Sequence, residues 1–346
     1  MSRWAVVLAG GVGSRFWPLS TPERPKQLLP LVTSEPMLAA TLRRLRPLAA
    51  AKHTLVLTNE SLVGAVRELA PDLPAKNVIA EPRPAGTAAA LAWAADTIAR
   101  TVGPDAVMIC VHADWAIGDE TGFREALERG VRAAEKHHAL ITVGVVPTRI
   151  DPGFGHLQAG ELVRGEDILR RVARFVEKPD RARAEAMRNE GYLWNSGIFV
   201  WRAGDFLAEL RKHTPEVAPA LEMAAGDASR FFSEVKPIAV DVGVLERSDR
   251  VMVLPGDFQW DDVGTWAALG RVRALDAAGN ALSGSVHLRD AERNVVHASS
   301  GTVILDGVSD LVVVTRDGVT LVTTLARSAD LKTLNESLPP SVREQK

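Results

Sequence analysis

An apolar strand that ends at a glycine-rich loop opens this chain and constrains its fold more than any other feature. Residues 4–9 are apolar, and glycines follow at positions 10, 11 and 13. An apolar, β-branched run that stops at glycines is typical of a central strand in a parallel sheet. Open α/β sheets bind ligands beyond the carboxyl ends of such strands. The beginning of the sequence therefore predicts an α/β fold with a ligand-binding loop after the first strand.

The composition of this loop favours a phosphate ligand. Gly10, Gly11 and Gly13 carry no Cβ, so successive N–H groups can converge on phosphate oxygens. Arg15 and Lys26 add cations that suit a polyphosphate. The loop is neither a P-loop nor a dinucleotide fingerprint, since it lacks the Lys-Ser or Lys-Thr pair of the first and the third glycine of the second. A tight turn without any ligand is the alternative.

The charge balance of the chain limits its partners. With 41 basic and 43 acidic residues among 346, the chain has no general attraction for nucleic acid or for an anionic membrane. It holds no apolar run near the roughly 18 residues that span a bilayer. Residues 1–3 lead directly into a strand and not into a signal-peptide core. We expect a cytoplasmic protein with neither a nucleic-acid nor a membrane partner.

Strand and helix patterns alternate after the loop. The predicted strands cover residues 54–58, 77–80, 106–111 and 140–146, and the predicted helices cover residues 36–51, 61–70, 88–101 and 123–134. This alternation is the signature of a doubly wound, mostly parallel sheet with helices on both faces. The ends of its strands are therefore the places to look for chemistry.

Polar residues follow two of these strands and a further apolar run over residues 250–254. Glu81 is a candidate acceptor for a ligand, and Thr87 is the predicted N-cap of the next helix. Asp114 follows a buried strand and is the first metal candidate. Asp261 and Asp262 are adjacent carboxylates among tryptophans, which is costly without a nearby cation, so they form the second metal candidate. The alternative is that one of them caps a helix that begins near residue 265.

Two later segments are candidates for an acceptor pocket. A proline- and glycine-rich loop covers residues 147–155, and a strand-like run over 171–177 ends at Glu177 and Lys178. Residues 192–197, which include Asn195, are predicted to precede a strand over 198–201. Each of these motifs alone is also compatible with a surface turn.

The pattern of apolar residues changes near residue 275. Helical spacing disappears, and short apolar runs recur with glycine- or aspartate-containing turns between them. Regular short strands without helices predict a β-solenoid, and we favour a short β-helix. The expected domains are 1–275 and 276–346, with a helix from about residue 330.

Several motifs in one order make the chain resemble the sugar-1-phosphate nucleotidyltransferases. The motifs are residues 8–15, 25–27, Glu81-Pro82 with Thr87, Asp114, residues 175–179, 194–197 and 260–266. The resemblance implies a Rossmann-like nucleotidyltransferase domain followed by a short left-handed β-helix. It covers nearly the whole chain.

The resemblance also implies roles for individual residues. The triphosphate loop and its catalytic cations would be Leu8, Ala9, Gly10, Gly11, Gly13, Ser14, Arg15 and Lys26; the base pocket would include Glu81, Gly86 and Thr87; the sugar phosphate would meet Gly155, Glu177, Lys178 and Asn195; and Asp114 and Asp262 would bind Mg²⁺. The likeness is greatest to members that transfer GMP from GTP to mannose 1-phosphate. A homodimer is reasonable, because the exposed end of a solenoid can stack.

Three positions differ from the family pattern and leave the substrates open. Ser14 replaces a threonine, the loop over 83–89 lacks an arginine-asparagine pair, and Trp115 follows the metal aspartate in place of histidine. Another nucleotide, or a heptose or glucose 1-phosphate, is an alternative. A non-catalytic homologue is a further one, and a nicotinamide dehydrogenase is disfavoured by the missing third glycine.

Overall fold

The computed structural model of the protein describes residues 2–11 and 13–343. Its strands are β1 (Arg3–Leu8), β2 (Thr54–Asn59), β3 (Val78–Glu81), β4 (Val107–His112), β5 (Ala116–Ile117), β6 (Leu140–Val145), β7 (His156–Leu162), β8 (Arg170–Val176), β9 (Leu193–Arg202), β10 (Val251–Gly256), β11 (Trp260–Asp261), β12 (Ala281–Arg289), β13 (Val295–Asp306), β14 (Leu311–Arg316) and β15 (Val319–Thr324). Its helices are α1 (Met37–Leu45), α2 (Val63–Leu69), α3 (Gly86–Val102), α4 (Glu120–His137), α5 (Arg181–Asn189), α6 (Ala203–His213), α7 (Ala218–Ala224), α8 (Ala228–Glu234), α9 (Leu269–Val272), α10 (Leu331–Ser337) and α11 (Pro340–Arg343). None of the helices described here has the length and apolarity that a bilayer crossing requires.

The chain divides into two compact units. Unit 1 comprises residues 1–10, 42–113 and 119–260, and unit 2 comprises residues 11–41, 114–118 and 261–346. This division differs from the predicted boundary at residue 275. The reason is that the segment after the first strand packs with the C-terminal segment in one apolar core, where Phe16 and Trp17 lie with Trp266 and Val312.

Unit 1 is built on a nine-stranded mixed sheet. The strand order is β3-β2-β1-β4-β9-β6-β10-β8-β7. Strand β1 is parallel to both β2 and β4, while β9 is antiparallel to both β4 and β6. The apolar residues of β1 are buried, as expected for a central strand between covered faces. The predicted Rossmann-like α/β fold is thereby confirmed.

Several parallel strands of this sheet end at the same edge. Leu8 of β1 pairs with His112 of β4, and Asn59 of β2 pairs with Glu81 of β3, so these strands end together. Strand β9 runs the other way and begins at this edge, where its Trp194 pairs with Val145. The prediction that residues 192–197 precede a strand over 198–201 is therefore wrong in its boundary, because residues 193–197 already belong to β9.

The C-terminal part of unit 2 stacks short strands. Strands β12, β13 and β14 are paired in parallel, and β15 closes this sheet in antiparallel orientation. Buried asparagines join successive turns: Asn280 Oδ1 accepts from Asn294 N at 2.8 Å, and Asn294 Oδ1 accepts from Leu311 N at 3.0 Å. The predicted run of short strands is present, and the left-handed β-helix stays a prediction.

Candidate active site

The end of β1 and the end of β3 meet in unit 1. Ala9 is buried after β1, and Gly10 is exposed beside it. A Cβ on Gly10 would lie 3.7 Å from Glu81 Oε1, so the backbone of the glycine loop begins against this carboxyl group. Burial raises the pKa of Glu81 to about 7. Near neutral pH, a ligand with N–H donors can therefore select the ionised form of Glu81.

The start of α3 is fixed by a close backbone approach. Gly86 has a φ of +81°, and a Cβ there would lie 2.3 Å from the carbonyl oxygen of Ile238, so only glycine fits. The prediction that Thr87 is the N-cap is wrong, because Ala85 occupies the N-cap position. Thr87 Oγ1 instead accepts a hydrogen bond from Val240 N at 2.9 Å. The start of α3 is thus held by a segment about 150 residues away in sequence.

Unit 1 brings together the four residues that the resemblance assigns to a sugar phosphate. Asn195 N donates to Gly155 O at 2.8 Å. A Cβ on Gly155 would lie 2.6 Å from Glu177 Oε2, and Lys178 Nζ lies 2.8 Å from Glu177 Oε1. The Lys178 side chain is 64% exposed, whereas that of Glu177 is only 16% exposed. The arrangement offers an exposed cation next to a half-buried carboxylate and an amide.

Three further polar residues, which the sequence patterns did not single out, support this group. Asn195 Nδ2 donates to Asp241 Oδ1 at 2.7 Å, and Thr142 Oγ1 donates to Asn195 Oδ1 at 2.8 Å. Glu246 Oε1 accepts from Glu177 N at 3.0 Å. No local motif marks these residues, because each is defined by a contact with a distant part of the chain.

Unit 2 holds the predicted cation and both predicted metal ligands. Lys26 is buried, and its Nζ donates to Asp114 Oδ2 at 3.0 Å and to the carbonyl oxygen of Asp262 at 2.7 Å. Gly13 has a φ of +62°, and a Cβ there would lie 2.5 Å from Lys26 Cβ. Lys26 therefore contacts both aspartates through its ammonium group and packs against Gly13 at its Cβ.

The two adjacent aspartates have different surroundings. Asp261 is buried and accepts hydrogen bonds from Val263 N at 2.8 Å and from Arg271 Nε at 2.8 Å. Asp262 is only half-buried. The alternative of a helix cap is wrong for both, because the turn that begins at Trp266 has Thr265 at its N-cap and no side-chain cap. Asp261 is therefore a structural anchor, and Asp262 is the better candidate for a ligand contact.

The rest of the glycine loop is open. Gly11 is exposed, and a Cβ there would meet no described atom within 4 Å, so packing within the protein does not explain this glycine. Its carbonyl oxygen accepts from Gln27 Nε2 at 2.9 Å. Arg15 is exposed, and the side chain of Ser14 lies outside the described part of the structure.

The donor set of unit 2 fits magnesium only together with a phosphate. Within residues 2–11 and 13–343, no group of three or more His, Cys, Asp or Glu residues could hold a metal ion by itself. Mg²⁺ is commonly held by one or two carboxylates plus oxygens of substrate phosphates. Asp114 and Asp262 are the two carboxylates predicted for this role; the carboxylate of Asp114 and the backbone carbonyl of Asp262 both accept from Lys26 Nζ.

Comparisons with known proteins give a consistent result. The model of the family described as nucleotidyl transferase matches residues 4–278. Mannose-1-phosphate guanylyltransferase from Klebsiella pneumoniae is 36% identical over 98% of this chain and 74% of its own length. The protein of that name from Escherichia coli (strain K12) is 37% identical over 99% of this chain and 74% of its own length.

A solved structure extends the likeness to the fold. A crystal structure described as mannose-1-phosphate geranyltransferase from Thermus thermophilus has a TM-score of 0.90 with this chain at 33% identity. It covers 97% of this chain and 99% of that chain. The similarity therefore includes both the sheet of unit 1 and the strands of unit 2.

Proposed function

Since this chain belongs to the nucleotidyl transferase family, we propose that it transfers GMP from GTP to mannose 1-phosphate and releases pyrophosphate. This is the activity for which the relatives at 36% and 37% identity are named. The observation that carries the proposal is the convergence of Gly155, Glu177, Lys178 and Asn195 from separate segments of unit 1. These are the residues that the family pattern assigns to the sugar phosphate.

The reaction needs alignment more than proton transfer. An oxygen of the sugar phosphate attacks the α-phosphorus of GTP, and the bond from this phosphorus to the bridging oxygen of pyrophosphate breaks. The second pKa of a phosphate monoester is near 6, so the acceptor is about 90% dianionic at pH 7 and needs no general base. The barrier is electrostatic, because one anion attacks a second while a third leaves. No covalent enzyme intermediate is required.

Lys178 is the cation best suited to the attacking phosphate. Its side chain is exposed and is paired only with the neighbouring Glu177 in the described contacts. Its φ of +45° lies in the left-handed region, which is costly for a residue with a Cβ. Such strain is concentrated at functional sites, where the surrounding structure holds it in place. We infer that Lys178 positions and neutralises the acceptor phosphate.

The residues of unit 2 suit the triphosphate. Gly11 is exposed and its missing Cβ leaves the backbone open to a ligand, and Arg15 and Lys26 provide positive charge for the leaving pyrophosphate. Asp114 and Asp262 would hold Mg²⁺, which would neutralise charge on the phosphates when bound. The family pattern also assigns Ser14 to this loop.

Glu81 is the candidate for base recognition. A carboxylate can accept hydrogen bonds from both N1–H and the exocyclic amine of guanine. Glu81 lies against Gly10 at the start of the phosphate loop, and Gly86 and Thr87 follow at the start of α3. Because the loop over residues 83–89 is altered, another nucleotide is the alternative to GTP. A heptose or glucose 1-phosphate is the alternative to mannose 1-phosphate. A left-handed β-helix after residue 276, a homodimer and a cytoplasmic location complete the proposal.

A matrix of substrates tests this function. Purified protein with Mg²⁺ would be assayed for pyrophosphate release with four nucleoside triphosphates against mannose, glucose and heptose 1-phosphates. We expect the highest kcat/KM for GTP with mannose 1-phosphate. Turnover with another pair would reassign the substrates, and no turnover with any pair would favour a non-catalytic homologue.

Substitution of Lys178 tests the observation on which the proposal rests. Lys178→Gln should lower kcat/KM for the sugar phosphate by a factor on the order of 10² to 10³, as for the loss of other transition-state contacts. The matched control is Lys212→Gln, because Lys212 has a similarly exposed ammonium group, on α6. Equal activity of the two variants would contradict the role of Lys178.

A further inference from the structure

Residues 238–246 contact the start of α3 and also the residues that are assigned to the sugar phosphate. We call them the contact segment. At one end, Ile238 O accepts from Ala88 N at 3.2 Å, and Val240 N donates to Thr87. At the other end, Asp241 accepts from Asn195 and Glu246 accepts from Glu177 N. The segment therefore lies between the start of α3 and the group assigned to the sugar phosphate.

The backbone of the contact segment adopts an uncommon conformation. Residues Asp241–Leu245 form a π-helix, a conformation that is rare and is often found at functional sites. Thr214, which is fully buried, donates from Oγ1 to Gly243 O at 2.7 Å and fixes the middle of the π-helix. Asp241 is thus presented from a defined backbone position.

The carboxyl group of Asp241 is oriented but not saturated. Asn195 is itself fixed, since its Oδ1 accepts from the buried Thr142 and its Nδ2 donates to Asp241 Oδ1. A carboxylate has about four acceptor positions. Asn195 and the backbone N–H of Asp241 itself use part of them. Asp241 as a residue is only half-buried, so its side chain keeps some exposure.

The electrostatic surroundings of Asp241 indicate which kind of ligand group its carboxylate would bind. Burial and the nearby Glu177 carboxylate raise the pKa of Asp241 to about 6, and Lys178 opposes this effect. A phosphate would be repelled by two carboxyl groups. A neutral hydroxyl group donates to a carboxylate and carries no charge to repel. The sugar ring is the part of a sugar phosphate that supplies such donors.

We propose that Asp241 is a specificity-determining residue whose carboxylate accepts a hydrogen bond from a hydroxyl group of the sugar ring. The inference rests on the proposed function, because it concerns the acceptor of that reaction. A polar site that is built to bind a substrate hydroxyl discriminates strongly against an analogue without it, since the polar group is left unpaired.

The test combines Asp241→Asn with a panel of monodeoxy analogues of mannose 1-phosphate. For the unmodified protein, we expect removal of one particular hydroxyl to lower kcat/KM by a factor on the order of 10² or more. In Asp241→Asn, kcat/KM for the complete sugar should fall by a similar factor, and removal of the same hydroxyl should then cost little. The KM for GTP should stay within about twofold in this variant. The matched control is Asp249→Asn, because Asp249 is an 85% exposed carboxylate shortly after the contact segment.

The outcomes separate this inference from the proposed function. If the complete sugar and all deoxy analogues lose activity equally in Asp241→Asn, the residue is structural and the inference is overturned. If the unmodified protein uses every monodeoxy analogue as well as the parent, no hydroxyl is recognised and the inference is overturned without any variant. If another sugar 1-phosphate is the substrate, its own deoxy series gives the same test. If no turnover occurs at all, the proposed function fails, and calorimetric binding of the sugar phosphates to protein and variant decides whether Asp241 binds them.

Discussion

Glu81 has a pKa that makes its contribution to stability depend on pH. Its pKa is about 7 in the folded protein, above the ordinary value of 4.5, because the carboxyl group is buried. The folded state therefore binds the proton more tightly than the unfolded chain. The stabilisation is fully present below the ordinary pKa and is lost as the pH rises through about 7.

A Glu81→Gln variant, which cannot ionise, measures this effect. Relative to the variant, the unmodified protein should lose up to about 3 kcal/mol of unfolding free energy between pH 4.5 and pH 8. Urea unfolding at both pH values measures the difference. The same variant should lower the ratio of GTP to ATP turnover if Glu81 accepts from guanine, with Glu60→Gln as an exposed control. An unfolding difference that does not change with pH would contradict the assigned pKa, and an unchanged nucleotide ratio would contradict the role in base recognition.

Asp261 and Asp262 form a natural matched pair. Asp261→Asn weakens the two hydrogen bonds from Arg271, at 2.8 and 3.0 Å, and should lower the unfolding free energy by about 1–3 kcal/mol. Asp262→Asn should leave the thermal transition near that of the unmodified protein but abolish Mg²⁺-dependent turnover. Thermal unfolding and a magnesium titration of activity, made on both variants, measure these effects. The reverse pattern would move the proposed metal ligand to Asp261.

At the level of elements, the start of α3 depends on one glycine. A methyl group at Gly86 would meet Ile238 O at 2.3 Å, and its φ of +81° is unfavourable for alanine. Gly86→Ala should therefore lower the unfolding free energy by about 1–3 kcal/mol. It should also raise the KM for the nucleotide, because Thr87 is displaced from Val240.

Another helical glycine provides the control. Gly64 lies in α2, and a Cβ there would meet no described atom within 4 Å. Gly64→Ala should stabilise the protein by about 0.4–1 kcal/mol, since alanine loses less backbone entropy in a helix. Chemical denaturation of the two variants distinguishes a steric requirement from general helix propensity. A stabilised Gly86→Ala would contradict the close approach at α3.

At the level of the whole molecule, the segment after β1 and the C-terminal strands pack in one apolar core. Phe16 and Trp17 share the core of unit 2 with Trp266 and with residues of β12 to β15. The C-terminal strands therefore share one apolar core with the segment that follows the glycine loop. They supply part of the apolar core that supports residues 11–41.

Truncation after residue 275 tests this coupling. The shortened chain should lose the near-UV circular dichroism of Trp17 and Trp266 and become sensitive to proteolysis within residues 11–41. The reason is that the core of unit 2 loses the apolar residues of β12 to β15. The full chain is the control. A truncated protein that resists proteolysis there would support the predicted boundary at residue 275 as an independent folding boundary.

The sequence by itself determined the features that local patterns encode. Alternating strands and helices, glycines after β1, and polar residues at strand ends follow from periodicity and backbone freedom, which involve neighbours in the chain. These patterns were sufficient for the α/β fold, whereas the grouping of Glu177, Lys178 and Asn195 came from the resemblance to a known family.

Only the tertiary structure decided how individual polar groups are used. The hydroxyl of Thr87 accepts from Val240 N and does not cap α3, and Asp261 binds Arg271. Asp241 meets Asn195 although 46 positions separate them in the chain. A carboxylate or hydroxyl can satisfy its hydrogen bonds with many partners, and the fold alone determines which partner lies within reach.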